Sequence, residues 1–260
     1  MSNLQANLQG KTLFITGASR GIGKRLCFDL ADAGHDVVCV ARSSRDHPSK
    51  LPGTVDSTAE GVRERGGRAL AVGLDVRDEA AIASLVERVY DEWGRCDLLV
   101  NNAAVAPPRP ALEDSTKRWR LAVDVNVNGP FYFTYYLAPR MAKDGGGRIV
   151  NVSSAAAVLP EFGRASYTAT KSALEAMTKA LGHDLADRVA VNCLRIDIPI
   201  WSEGFAETIG GGDFPFEDAV IVSDAILWLA REPLSRTAEV FTLTGLREQG
   251  IVRPLTPRGT

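Results

Sequence analysis

The sequence predicts an α/β fold in which a doubly wound parallel sheet forms a single domain. Short apolar runs rich in β-branched residues alternate with longer segments in which apolar residues recur with helical period. The apolar runs are continuous and do not alternate with polar residues, which is typical of strands buried on both faces. Strands of this kind, separated by helices, indicate a parallel sheet that helices cover on both sides.

The predicted elements follow this alternation from the first strand onward. Three strand and helix pairs come first, namely KTLFIT with KRLCFDLADAG, DVVCVAR with VDSTAEGVRERGG, and RALAVGLD with EAAIASLVERVYDEWG. They are followed by the strand DLLVNN, a long helix around residues 119–143, the strand GRIVNVSS, a helix through ASYTATKSALEAMTKALGHDLAD and the strand VAVNCLRI. No repeat, low-complexity tract or long linker marks a boundary, so we expect one domain over residues 1–260.

Composition and charge exclude several function classes. A chain of 260 residues with 45% hydrophobic content can bury a substantial core. Its 30 basic and 32 acidic residues give a net charge of -2, without the basic excess of a nucleic-acid-binding surface. No apolar run approaches the roughly 20 residues of a membrane span, and the polar start MSNLQANLQGK lacks the apolar core of a secretory signal. We therefore expect a cytoplasmic protein that binds neither nucleic acid nor membrane.

Cysteine and histidine are too scattered to indicate a metal site. The four cysteines show no Cys-x-x-Cys spacing, and three of them lie in or beside apolar segments. The three histidines form no i, i+4 pair and lie near no second ligand at a recognised spacing. We expect no metal, and we expect buried free thiols at Cys27, Cys39, Cys96 and Cys193.

Two loops differ from the rest of the chain. Residues 43–54 follow the second strand and are too polar and proline-bearing to belong to the core. Residues 197–216 contain three consecutive glycines and the aromatic residues Trp201, Phe205, Phe214 and Phe216. Because aromatic side chains are costly to expose to water, we interpret the second loop as a mobile cover over an apolar ligand. An ordinary surface excursion is the alternative.

A glycine-rich turn, TGASRGIG over residues 16–23, joins the first strand to the first helix. In parallel sheets the first turn of this kind is the usual place for a dinucleotide pyrophosphate. Glycine lets the backbone approach the phosphates, while the helix offers free N–H groups and the positive end of its dipole. We expect the cofactor to contact Gly17, Ser19, Arg20, Gly21, Ile22 and Gly23.

The spacing of this turn, Gly-x-x-x-Gly-x-Gly, resembles a known family when it is taken with three later motifs. NNAA follows the fourth strand, NVSS ends the fifth, and YTATK lies in the next helix. In this order and at these intervals, the four motifs are similar to those of the short-chain dehydrogenase/reductase family, in its compact single-domain branch with a Rossmann-type fold. The resemblance covers about residues 10–193 and implies an oxidoreductase that uses a nicotinamide dinucleotide.

The end of the second strand indicates that this dinucleotide is NADP(H). NAD is commonly marked there by a carboxylate that accepts hydrogen bonds from the ribose hydroxyls, whereas this chain has Ala41. Arg42 and Ser43 follow, and Arg20 lies inside the glycine-rich turn. A guanidinium pairs with a 2′-phosphate through two charge-assisted hydrogen bonds, so we predict NADP(H). The alternative is that both arginines are solvated surface residues.

Two further segments match family positions near the adenine. The resemblance places Asp75 and Val76 beside the adenine, and it aligns NNAA, with Asn102, Ala103 and Ala104, with the Asn-Asn-Ala-Gly of the family. An alanine in place of the last glycine is tolerated where its φ is negative.

Tyr167 and Lys171 are the candidate catalytic pair. They lie four residues apart in a segment of helical period, so both side chains project from one face of a helix, one turn apart. A free tyrosine, with a pKa of about 10, is a poor proton donor at neutral pH, and a neighbouring ammonium favours the phenolate. Tyrosine then becomes a usable general acid or base. The resemblance adds a hydrogen bond from Lys171 to the nicotinamide ribose.

Two more candidate catalytic residues come from the resemblance. Ser154 lies thirteen residues before Tyr167 and matches the serine that polarises the substrate carbonyl. Asn126 matches the asparagine that supports a proton relay through water. Ser153 and Asn128 are the rival positions, and the family spacing favours Ser154 and Asn126.

The chain departs from the family pattern after the sixth strand. Ile196 and Asp197 stand where the family has Pro-Gly near the nicotinamide, so contacts to the carboxamide are not assigned. Asp197 either bears on substrate choice or forms a salt bridge with Arg195. The carboxyl end reads FTLTGLREQG where many members end a strand in Asp-Gly-Gly, a region that often packs subunits together. We expect a homodimer or a homotetramer.

Together the motifs predict an NADP(H)-dependent oxidoreductase that interconverts a carbonyl and an alcohol. The aromatic cover implies a substrate with an apolar body, such as an acyl chain, a terpenoid, a steroid or an aryl ketone. A weaker similarity of HPSKLPGT, TAEGVRERGGRALAVGLDVRDE and STKRW to hydroxysteroid-dehydrogenase-like members does not single out a steroid. Two alternatives stay open: a non-catalytic NADP(H)-binding sensor or partner protein on the same fold, and a family member that reduces a double bond.

Overall fold

Seven strands form one parallel sheet. The computed structural model describes residues 10–106, 108–203 and 216–254. The strands are β1 (Thr12–Thr16), β2 (Asp36–Ala41), β3 (Ala69–Gly73), β4 (Leu98–Asn101), β5 (Gly147–Ser154), β6 (Val189–Ile196) and β7 (Val240–Thr242). Their order in the sheet is β3-β2-β1-β4-β5-β6-β7, and every neighbouring pair is parallel.

Helices cover both faces of this sheet. They are α1 (Gly21–Asp32), α2 (Val55–Glu64), α3 (Glu79–Trp93), α4 (Thr116–Val123), α5 (Gly129–Lys143), α6 (Ala165–Asp184), α7 (Val220–Leu229) and α8 (Leu243–Glu248). One hydrophobic core lies between the sheet and α1, α2, α7 and α8. The other lies between the sheet and α3 and α5, and α6 packs on β5 and β6.

Burial on both faces explains why the strands read as continuous apolar runs. In β1, Leu13 and Ile15 point into the first core, while Phe14 between them points into the second. Successive strand residues face opposite sides, so a sheet with two covered faces needs apolar residues at every position. The predicted doubly wound, single-domain architecture is confirmed.

The strand order reverses at β1, which pairs with β2 on one side and with β4 on the other. Ligands of open parallel sheets bind at such a switch point, outside the carboxyl ends of the strands. The turn after β1 and the residues after β4 meet at this edge, so the glycine-rich turn and NNAA line one crevice.

The long helix predicted around residues 119–143 is interrupted. α4 ends at Val123, a π-helical turn spans Asp124–Asn128, and α5 follows. Pro130, near the start of α5, has no N–H to donate, so a regular helix cannot pass through it without losing a hydrogen bond. Asn126 lies within this π-helical turn, between the two α-helices.

The four cysteines are buried and free, as the sequence predicts. Cys27 of α1 and Cys39 of β2 come together, with their sulfur atoms 3.8 Å apart. Among residues 10–106, 108–203 and 216–254, no group of three or more His, Cys, Asp or Glu could hold a metal ion. Within the same ranges no helix is long and apolar enough to cross a membrane.

Candidate active site

The glycine-rich turn after β1 has backbone geometry that requires glycine. Gly17 and Gly21 have φ angles of +71° and +53°, in the left-handed region that side chains disfavour. A Cβ on Gly23 would collide with the carbonyl oxygen of Gly17 and lie 2.7 Å from Nδ2 of Asn102. The first turn of α1 therefore packs directly against the glycine-rich turn.

The start of α1 suits an anion. Arg20 occupies the N-cap position, no side chain caps the helix there, and its first turn carries no acidic residue. The first N–H groups of a helix have no partner within the helix, and the helix dipole adds positive potential. Ser19 is buried beside this point and Ile22 packs partly against the core. The residues present fit the pyrophosphate of a dinucleotide.

Asn102 holds the turn in place. Its Nδ2 donates to the carbonyl oxygen of Thr16 at 2.9 Å, and the hydroxyl of Thr16 accepts from the backbone N–H groups of Asn102 and Ala103, both at 3.0 Å. The Thr16 hydroxyl, which sequence reasoning did not select, thus joins the ends of β1 and β4. Ala104 is exposed and keeps a φ outside the left-handed region, so its methyl group brings no backbone strain.

Asp75 and Val76, the residues predicted to lie beside the adenine, each have a protein partner in the structure. Arg77 binds the Asp75 carboxylate through Nη2 at 2.7 Å and Nε at 3.0 Å. Partial burial alone would raise the pKa of Asp75. The hydrogen bonds from Arg77, helped by the charge of Arg42, outweigh it and lower that pKa. Val76 is buried against Gly129. Arg77 is a basic neighbour that sequence reasoning missed.

Tyr167 and Lys171 occupy one face of α6, as the spacing predicts. The Lys171 ammonium lies 5.7 Å from the centre of the Tyr167 ring. Lys171 is only 3% exposed, and its Nζ donates to the carbonyl oxygen of Val152 in β5 at 2.6 Å. This hydrogen bond fixes the charge beside the tyrosine.

Ser154 and its rival Ser153 point to different places. Ser153 is buried, and its hydroxyl donates to the Glu175 carboxylate at 2.8 Å. Ser154 ends β5 and is partly exposed, and its hydroxyl accepts from the N–H of Ala156 at 3.3 Å. The Ser154 hydroxyl therefore acts as an acceptor toward the backbone, whereas the Ser153 hydroxyl donates its proton to a carboxylate inside the fold.

Asn126 joins three elements at the π-helical turn. It is 1% exposed, and its side chain bonds both the N–H and the C=O of Val105 at 2.9 Å. Its Nδ2 also donates to the Thr170 hydroxyl of α6 at 3.0 Å. The rival Asn128 instead donates to Asp124 at 2.9 Å. Asn126 therefore holds the segment after β4 against the helix of Tyr167.

A buried polar layer connects α6 to the sheet, and sequence reasoning missed it. Besides Lys171, Glu175 binds Ser153 and receives two hydrogen bonds from Arg195 of β6, at 2.9 and 2.6 Å. Thr178 accepts from Asn151 of β5 at 2.9 Å. Burial alone would raise the pKa of Glu175, but the hydrogen bonds from Arg195 and Ser153 lower it below its ordinary value. The i, i+4, i+7 spacing of Lys171, Glu175 and Thr178 in α6 was the available signal.

The suggested salt bridge between Asp197 and Arg195 is wrong. Arg195 pairs with Glu175, which follows Lys171 by one turn and so reaches the neighbouring strand. Asp197 accepts from the N–H of Thr244 at 3.1 Å instead, near the start of α8. The residues in place of Pro-Gly therefore tie the end of β6 to the helix after β7.

The predicted cover over residues 197–216 is described only at its two ends. Phe205 and Phe214 lie outside the described residues. The backbone N–H of Trp201 donates to the backbone carbonyl oxygen of Glu217 at 3.1 Å. This hydrogen bond joins the two described ends of the segment. A Cβ on Gly21 would lie 2.9 Å from the Cβ of Ser202. The segment after β6 thus reaches the glycine-rich turn.

A glycine-rich turn at the switch point of a doubly wound parallel sheet is typical of the dinucleotide-binding class of α/β proteins. The family model described as short chain dehydrogenase matches residues 11–197. The chain belongs to this family, whose members use nicotinamide cofactors.

Individual relatives point to the same family. The chain is 33% identical over 248 residues to hydroxysteroid dehydrogenase-like protein 2 of Bos taurus, which covers 94% of this chain and 59% of the bovine protein. The human protein of that name is 32% identical, with the same coverage of both chains. The chain thus spans less than two thirds of the length of these relatives.

Solved structures share the fold of this chain over more than nine tenths of its length. A Xanthomonas campestris protein described as a dehydrogenase has a TM-score of 0.85 at 30% identity and covers 97% of this chain and 98% of its own. A Sinorhizobium meliloti protein described as a short-chain alcohol dehydrogenase has a TM-score of 0.80 at 27% identity, with coverages of 93% and 98%.

Proposed function

We propose that this protein is an NADP(H)-dependent oxidoreductase that interconverts a carbonyl and an alcohol on a substrate with an apolar body. The observation that carries the proposal is the buried Lys171 ammonium, held by Val152 and placed beside Tyr167 on α6. This arrangement suits proton transfer to or from an oxygen atom of the substrate.

The residues of the chain divide the chemistry between them. When bound, the nicotinamide cofactor supplies or accepts the hydride. Tyr167 gives a proton to the carbonyl oxygen during reduction and takes it from the alcohol during oxidation. Ser154 donates a hydrogen bond to the same oxygen and stabilises the negative charge that develops there. Lys171 stabilises the phenolate left on Tyr167, and Asn126 keeps the segment after β4 against α6.

The end of β2 supports NADP(H) over NAD(H). Ala41 offers no carboxylate to the ribose hydroxyls, and the exposed Arg42 follows directly. Arg20 reaches the carbonyl oxygen of Gly53, at 3.5 Å, which also accepts from the Ser43 hydroxyl at 2.8 Å. The Arg20 guanidinium thus lies beside Ser43, the residue after Arg42, where a 2′-phosphate would find a cationic partner.

The loops beside Tyr167 support an apolar substrate. The backbone N–H of Arg109 donates to the carbonyl oxygen of Gly163 at 2.8 Å. The segment after β4 therefore lies along the segment that precedes α6. Exposed apolar side chains in these two segments are Leu112, Val158, Leu159 and Phe162. Large exposed apolar groups that gather beside a site commonly bind an apolar ligand.

The proposal is tested by turnover of NADPH with a series of apolar ketones, comparing the wild type with Tyr167→Phe. We expect the variant to lose about a hundredfold or more in kcat while it still binds NADPH, because only the acidic hydroxyl is removed. Tyr136→Phe is the matched control, since its hydroxyl bonds Glu79 at the surface. Near-wild-type turnover by Tyr167→Phe would contradict the mechanism.

A further inference from the structure

The loop after β2 closes onto the glycine-rich turn. The Ser43 hydroxyl donates to the carbonyl oxygen of Gly53 at 2.8 Å and accepts from the N–H of Ser49 at 3.4 Å. The carbonyl oxygen of Ser43 accepts from the N–H of Val55 at 2.9 Å. These bonds draw the two ends of residues 43–53 together, and we call this segment the clasp.

The clasp holds the side chain of Arg20. Nη2 of Arg20 donates to the Ser49 hydroxyl and, at 3.5 Å, to the carbonyl oxygen of Gly53. The Ser49 hydroxyl in turn donates to the carbonyl oxygen of Leu51 at 2.9 Å, which orients it to accept from Arg20. Because Ser43 shares the Gly53 acceptor, the Arg20 guanidinium lies beside the residue that follows Arg42.

Gly53 allows the clasp to approach the turn this closely. Its φ is +99°, and a Cβ would collide with the carbonyl oxygen of Ser19 and lie 3.3 Å from the Cβ of Arg20. α2 adds a second attachment, because the buried Thr58 hydroxyl donates to the carbonyl oxygen of Ala18 at 2.8 Å. Residues 18–20 are therefore held from the side of β2.

We propose that the clasp sets the preference for the 2′-phosphorylated cofactor by holding the Arg20 guanidinium beside Ser43 at the end of β2. A guanidinium that is already in place loses little conformational freedom when it binds a phosphate, so its affinity is higher than that of a freely moving side chain. Ser49 and Gly53 then act as positioning residues that touch Arg20. The inference rests on the proposed NADP(H) preference.

The test is to titrate the full chain with NADPH and with NADH by calorimetry, for the wild type, Gly53→Ala and Ser49→Ala. We expect Gly53→Ala to lower the affinity for NADPH by about tenfold or more and the affinity for NADH by less than about threefold. Ser49→Ala, which removes the hydroxyl that accepts from Arg20 and adds no bulk, should lower the ratio of NADPH affinity to NADH affinity by about threefold.

Gly66→Ala is the matched control for Gly53→Ala. Gly66 also has a left-handed φ, of +82°, but a Cβ there would meet nothing within 4 Å. The control therefore carries similar backbone strain without the collision, and we expect its cofactor ratio to equal that of the wild type. Circular dichroism of each variant reports whether it is folded.

The outcomes separate the two proposals. A wild type that binds NADPH no better than NADH would overturn the proposed cofactor and, with it, the role of the clasp. A wild type that prefers NADPH, with an unchanged ratio in folded Gly53→Ala and in Ser49→Ala, would overturn the clasp alone. If Gly53→Ala does not fold, the ratio for Ser49→Ala decides: a drop supports the clasp, and an unchanged ratio overturns it.

Discussion

The glycine-rich turn and the polar layer beneath α6 both belong to the candidate site, but they depend on the sequence in different ways. The turn depends on the absence of side chains at Gly17, Gly21 and Gly23, within seven residues of chain. The layer depends on side chains that α6, β5 and β6 bring together, and Glu175 meets Ser153 and Arg195 only in the folded protein. A local steric requirement can be read from a short motif, whereas a long-range hydrogen-bond network cannot.

The largest effect is expected from a substitution that disrupts the buried polar layer between α6 and the sheet. Glu175→Ala leaves the Arg195 guanidinium and the Ser153 hydroxyl without their carboxylate, so we expect the free energy of unfolding to fall by about 3 kcal/mol. Denaturant titration measures the change. Glu248→Ala, at an exposed position, should change stability by no more than about 0.5 kcal/mol. Equal, small losses in both variants would show that the layer contributes little.

The next effect breaks the turn. Gly23→Ala places a methyl group against the backbone of Gly17 and the side chain of Asn102, and we expect a loss of about 2 kcal/mol together with weaker dinucleotide binding. Gly94→Ala, at a φ of +78° with nothing within 4 Å, should cost about 1 kcal/mol and leave binding intact. Dinucleotide affinity retained by Gly23→Ala would show that the close packing at the turn is not required.

A third prediction concerns pH. The pKa of Glu175 is lowered in the folded protein, so its ionised form stabilises the fold. This contribution to the free energy of unfolding is fully present above the unfolded pKa of about 4.3, and it is lost as the pH falls through the folded pKa. The stability difference between the wild type and Glu175→Gln should therefore shrink on acidification below about pH 4. Unfolding titrations from neutral pH to about pH 3 measure it. A difference that stays constant over this range would contradict a charged Glu175.

The smallest effect is expected from substitutions of Arg20, the N-cap residue of α1. Asp at the N-cap accepts from the first N–H groups of a helix, as Asp78 does in α3. Arg20→Asp should therefore be about 1 kcal/mol more stable than Arg20→Ala, since both lose the contacts of the arginine. It should also bind dinucleotides more weakly, because the carboxylate repels phosphate. A thermal melt and a calorimetric titration measure the two effects, and tighter binding by Arg20→Asp would place the phosphates elsewhere.

The fold and much of the site follow from patterns that are local in the sequence. Continuous apolar runs between helical segments specify a sheet buried on both faces, and the four-residue spacing of Tyr167 and Lys171 places them on one face of a helix. The choice of Ser154 over Ser153 came from the family spacing. In the structure the Ser153 hydroxyl donates to Glu175, and the catalytic role of Ser154 stays a prediction.

Other features were decided only by tertiary structure. Whether Arg195 pairs with Asp197 or Glu175, whether Arg77 binds Asp75, and where Arg20 is held depend on distances between segments that are remote in the sequence. By itself the sequence determined the doubly wound sheet, the glycine-rich turn after β1 and the tyrosine and lysine pair on one helix face, because backbone sterics and helical period act over a few residues. The partners of charged side chains were left to packing, since long flexible groups can reach several neighbours and only the assembled fold selects one.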